Sequence, residues 1–185
     1  VFVAGHSEGG LVALAAAADG ISACGLVLLS SPGRPIGTLM REQFRTNPAN
    51  GPYLDELDSL LGRLERGEMT DIETISPVLR ALFREGLQRY MIQLFAYDPA
   101  ELARSVTLPT LVVQGDRDLQ ITAEDARILS ENLPNSDIVI FTGMTHMLKD
   151  DVAGSPMATY QNPDLPLTEG VVKKIVRFLE RLSPP

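Results

Sequence analysis

The chain has 185 residues, 44% hydrophobic and 22% charged, enough for one domain with a sizeable core, and this excludes a largely disordered polypeptide. Its formal net charge of −8 repels phosphate backbones and anionic lipids, so nucleic acid is not an expected partner. A single cysteine, Cys24, excludes an internal disulfide, and no run of about 18 apolar residues is present to form a membrane span.

In chain order, Val1-Phe2-Val3-Ala4 reads as a strand covered on both faces, because it is continuously apolar. Such a strand needs a neighbour on each side. The expectation is therefore that missing N-terminal residues or another chain pair with the free side of residues 1–4. Residues 5–10 (GHSEGG) form a tight turn, and Leu11 to Ala18 form a helix apolar nearly all round, closed by Asp19-Gly20. Cys24 to Leu29 reads as a second buried strand, with Cys24 as a small core hydrophobe. Strand, helix and strand in this order imply a parallel crossover.

Residues 34–96 show no strand pattern. Leu54, Leu57, Leu60, Leu61 and Leu64 recur at helical spacing, as do Val78, Leu79, Leu82 and Phe83, and then Leu87, Tyr90, Met91, Leu94 and Phe95. This segment reads as a helical insertion between two parts of an α/β core, 1–33 and 97–185. Alternation then resumes. A helix starts at Pro99 behind Asp98, a strand covers Thr110 to Gln114, and Thr122 caps a helix running to about Leu133. Asp137 to Phe141 is a strand, and a closing helix runs from Thr168, as its cap, to Leu182.

The chemistry lies in Gly5-x-Ser7-x-Gly9, placed between a strand and a helix. The turn leaves no room for side chains beside Ser7, so Gly5 and Gly9 relieve the clash and the hydroxyl is presented on a strained residue. The helix N-terminus favours negative charge beside it, and the backbone N–H of Glu8 is a candidate oxyanion donor. A serine nucleophile needs a base. Of the two histidines, His6 sits on the same turn and is expected to point away from the hydroxyl and pack beside it. That leaves His146, which follows a strand C-terminus, where open α/β sheets keep their ligands. The imidazole needs a carboxylate. Asp118, after the strand ending at Gly115, is the choice, with Asp116 its competitor.

The order Ser7, Asp118, His146 and the pieces VFVAGHSEGG, LPTLVVQGDRDLQIT and GMTHMLK resemble the α/β-hydrolase superfamily, in the branch of serine esterases and aminopeptidase-like hydrolases with a helical cap. The resemblance implies a parallel sheet of that fold, here its C-terminal strands, with residues 34–96 as the cap. It implies an acyl-enzyme mechanism on small-molecule carboxylic esters, without a cofactor or a metal. Full members carry about four further strands before the elbow strand, with a second oxyanion donor. Some of Leu79, Leu82, Phe83, Met91, Leu94, Phe95 and Tyr97 would line an acyl pocket; the other reading of each is the interior of the helical insertion. Two other readings remain: a peptidase or amidase using the same three residues, and a catalytically silent fragment serving as a binding module.

Overall fold

A computed structural model describes residues 1–153 and 157–183. The chain divides into two compact units, Val1–Arg34 with Pro99–Pro185, and Pro35–Asp98.

The first unit is built on a four-stranded parallel sheet: β1 (Phe2–His6), β2 (Gly25–Leu29), β3 (Thr110–Gly115) and β4 (Ser136–Phe141), in that spatial order. Helix α1 (Glu8–Ala18) connects β1 to β2, and α7 (Ala123–Asn132) connects β3 to β4. Period-two alternation divides the strand side chains between two cores. Leu26, Leu28 and Val112 pack with Ala13, Leu14 and Ala17 of α1, Ala103 of α6 (Pro99–Ser105), and Ala126 and Leu129 of α7. Val27, Leu111 and Val113 face the other way, against Met144 and against Val171 and Phe178 of α9 (Val171–Leu182). Because both faces are covered, β2 and residues Leu111–Val113 of β3 are continuously apolar rather than alternating.

Among the described residues β1 pairs with β2 alone, leaving the free side expected of residues 1–4, with Phe2 and Val3 half-buried and Ala4 and His6 exposed. Three sequence expectations change here. β1 runs further than expected, through His6, leaving only Ser7 as the turn. Cys24 is exposed, because it stands before the first ladder pair, Phe2 with Gly25, and lies outside β2. The closing helix starts at Val171. Its N-cap is Gly170 at φ 90°, and Thr168 instead bonds the Asp150 carboxylate through its hydroxyl.

The second unit is helical: α2 (Ile36–Arg45), α3 (Leu54–Glu65), α4 (Pro77–Arg80) and α5 (Glu85–Phe95), with 3-10 turns at Pro48–Tyr53 and Ile72–Thr74. Its core joins Leu57, Leu60, Leu61 and Leu64 of α3 to Ile75, Leu79, Phe83 and Met91. The Gln88 side chain is buried among them and satisfied, donating to the carbonyls of Thr70 and Phe83 and accepting from the Thr70 N–H. Leu79, Phe83 and Met91 are buried in the core of this unit, where a compact helical body needs large apolar side chains to fill its centre.

Candidate active site

Ser7 occupies the single residue between β1 and α1, at φ 54° and ψ −128°. Its backbone is tied on both sides: its N–H donates to Leu29 O and its carbonyl accepts from the Gly10 N–H, each at 2.9 Å. Its side chain makes no cap bond to α1. Positive φ in a non-glycine residue costs about 1–3 kcal/mol and persists only where the surroundings impose it. The imposing contact is visible at Gly5, where a Cβ would lie 2.1 Å from Gly9 O, so the first turn of α1 packs directly on the strand. Gly9 has open space where its Cβ would be, contrary to the motif-based expectation. The second close approach is one residue later, at Gly10, whose Cβ would meet Ser31 Oγ at 1.8 Å. Among the described residues, positive φ in non-glycines occurs at Ser7, Ser30 and Leu148, which lie after β1, after β2 and in the loop after β4.

Asp118 lies three residues beyond β3 with its side chain fully buried. Oδ1 accepts the backbone N–H of Gln120 at 2.8 Å and of Ile121 at 3.0 Å. Oδ2 accepts Gln114 Nε2 at 3.0 Å and faces His146 Nδ1 at 2.9 Å. Burial works against the charge of Asp118. The bond to His146 and its charge, with the N–H groups of Ile121 and Gln120, outweigh it and hold this carboxyl below the ordinary carboxylate range. An ionised carboxylate only accepts, so His146 Nδ1 is the donor to it, and in the neutral tautomer this leaves the lone pair on Nε2.

The loop carrying His146 is fastened to the turn carrying Asp118. Arg117 N–H donates to Met144 O at 3.0 Å, and Gly143 N–H donates to Asp116 Oδ1 at 2.7 Å. Asp116, the competing carboxylate, thus serves that loop while Asp118 takes the imidazole. Gly115 is needed where the two segments touch, since its Cβ would lie 2.0 Å from Met144 O.

On the nucleophile side, His6 Nε2 lies 2.7 Å from the His146 carbonyl oxygen, and the two rings are 4.9 Å apart. Ser7, the next residue, therefore shares the C-terminal end of the sheet with His146 and Asp118. Tyr160, on the short helix α8 (Ala158–Gln161), stacks parallel to the His146 ring at 6.5 Å and accepts a bond from Gln120 Nε2 at 2.8 Å. Burial, with a smaller contribution from the Asp118 charge, raises its phenol pKa against the opposing bond from Gln120. A pocket of about 240 Å3 opens here, lined by Arg117, Leu119, Thr145, Asp151 and Tyr160. A pocket of about 260 Å3 in the helical unit has neither serine nor histidine on its wall.

Two of these residues escaped the sequence reading. Gln114 carried a signal, an amide inside an otherwise apolar strand, which must find buried partners. Tyr160 carried none, because its place beside His146 depends on how the chain returns after β4.

A family model described as the alpha/beta hydrolase family matches residues 1–154. The chain belongs to that family. Among curated relatives of this alpha/beta hydrolase family member, esterase EstD of Thermotoga maritima is 26% identical over 184 residues, covering 97% of this chain and 42% of EstD. The chain thus spans less than half the length of that relative. Two of the solved structures that share its fold are esterases by name. The Pyrococcus furiosus esterase Pf2001 has a TM-score of 0.55 at 17% identity, covering all of this chain and 54% of the other. A thermophilic esterase from Thermogutta terrifontis has a TM-score of 0.55 at 20% identity, covering all of this chain and 66% of the other.

Proposed function

We propose that this protein is a serine hydrolase that cleaves carboxylic esters of small molecules. The observation that carries the proposal is the buried pairing of His146 Nδ1 with Asp118 Oδ2 at the same end of the sheet as the strained Ser7. This pairing leaves Nε2 as the basic nitrogen, the tautomer required of a general base toward a serine hydroxyl. Ser7 attacks the acyl carbonyl and forms a C–O bond as its proton passes to His146 Nε2. The tetrahedral oxyanion forms beside the first turn of α1, where the Glu8 backbone N–H is the candidate donor. Collapse expels the alcohol, which takes the proton from His146, and leaves an acyl-serine. Water, losing a proton to His146, attacks the acyl carbon; the bond to Ser7 Oγ breaks, the acid leaves and His146 returns the proton to Ser7. The esterase names of EstD, of Pf2001 and of the Thermogutta enzyme support an ester over an amide.

Fluorophosphonate labelling of the full-length protein, followed by mapping of the modified peptide, tests this reading. Label is expected on Ser7 and is expected to vanish in Ser7→Ala. Absence of label from the native protein, or its persistence in Ser7→Ala, would falsify the assignment.

A further inference from the structure

His6 and His146 meet although their strands, β1 and β4, are separated by β2 and β3, a span of roughly 14 Å at the usual strand spacing. The acid turn and the base loop are neighbours on β3 and β4, held to each other by Arg117, Asp116 and the His146–Asp118 bond. Ser7 stands at the end of β1, with β2 and β3 between it and β4. Its distance from the imidazole is therefore subject to every small change in twist across two intervening strands.

We propose that His6 is a positioning residue that closes this span, holding the loop of His146 to the nucleophile turn; the proposal rests on the hydrolase reading above. The acceptor is a backbone carbonyl, so His6 Nε2 must donate. That bond fixes the backbone of the base, while the tilted ring-on-ring contact, 45° at 4.9 Å, bears on the imidazole itself. The neighbouring peptide carries Ser7, so the tether is one residue away from the nucleophile. An exposed surface histidine with no such task would not point its donor at the carbonyl of a residue that is only 4% exposed.

The test compares His6→Phe, which keeps a ring and loses the donor, with His6→Gln, which keeps a donor at similar reach. Misplacement by about 1 Å can cost on the order of 100-fold in rate. In the full-length protein, His6→Phe is expected to lower kcat for an ester and the fluorophosphonate labelling rate by roughly 10- to 100-fold with KM little changed, and His6→Gln to recover most of that loss. The thermal midpoint is followed alongside; if the Phe variant does not fold, His6→Leu takes its place. Wild-type rates in the donor-free variant, or equal losses in both variants, overturn the positioning role even where Ser7→Ala confirms a serine hydrolase. A second readout is independent of turnover: the NMR signal of the His146 Nδ1 proton is expected to shift or broaden in His6→Phe and to return in His6→Gln. Should native protein fail to label, the hydrolase reading falls and this signal alone decides the tether; an unmoved resonance sinks it.

Discussion

The His146 imidazole, 5% exposed, sits 2.9 Å from the fully buried Asp118 carboxylate, which accepts three further hydrogen bonds from Gln114, Gln120 and Ile121. The carboxylate is thus held before it holds the ring. Asp118→Asn keeps the shape but replaces a charged acceptor with an amide that also donates, and about a 10⁴-fold fall in kcat for ester hydrolysis is expected. Ser7→Ala and His146→Ala are expected to lose a similar factor or more, and combining them is expected to add little, because the members act as a unit. Steady-state assays on a chromogenic ester measure all of these.

The same carboxylate links stability to pH. Its pKa is lower in the folded protein than the ordinary value, so its stabilisation is complete above the unfolded carboxylate pKa. It is lost as pH falls through the lower folded value. Thermal melts of native protein and Asp118→Asn should therefore differ most near neutrality and converge in strong acid. A difference that grows on acidification would contradict the lowered pKa of the Asp118 carboxyl.

The elbow glycines are expected to behave unequally. Gly5→Ala places a Cβ 2.1 Å from a backbone oxygen and should cost about 1–3 kcal/mol or more, with loss of activity. Gly10→Ala meets Ser31 Oγ and should also destabilise. Gly9→Ala meets nothing and lies in helix α1, where alanine is favoured by up to about 1 kcal/mol. Urea melts of the three variants give the ranking directly.

Asp125 joins the segment after β2 to helix α7. Its fully buried carboxylate accepts from the Gly33 N–H, from Arg34 Nε and Nη2, and from the N–H and hydroxyl of Thr122. Removing one side of such a pair costs about 3–5 kcal/mol. Arg34→Ala, which leaves the carboxylate only the Gly33 and Thr122 donors, should destabilise by up to that order, and Arg34→Lys should recover only part, since it has no planar fork. Equilibrium unfolding of these variants is the measurement.

Leu79 and Phe83 are predicted to matter for folding and not for substrate choice. Each is fully buried in the helical unit, so truncation to alanine should cost about 2–5 kcal/mol, with relative rates on short and medium acyl esters unchanged in whatever protein remains folded. A selective change in acyl preference would return them to a pocket wall.

Local patterning was enough to read much of this protein from its residues. The apolar runs at Leu26 to Leu29 and Thr110 to Val113 declare strands covered on both faces, because only burial makes alternation unnecessary. The leucines of α3 declare a helix, and the flanked serine declares the strained turn. What tertiary structure alone decided are relations between distant segments. Gly10, not Gly9, took the close contact because Ser31 arrives there from the next strand. Asp118 met the imidazole while Asp116 served the loop, a difference set by which way each carboxylate points after β3. His6 and Tyr160 reached His146 from opposite directions in sequence, which no local pattern records, since side-chain contact across a sheet depends on strand order and not on spacing along the chain.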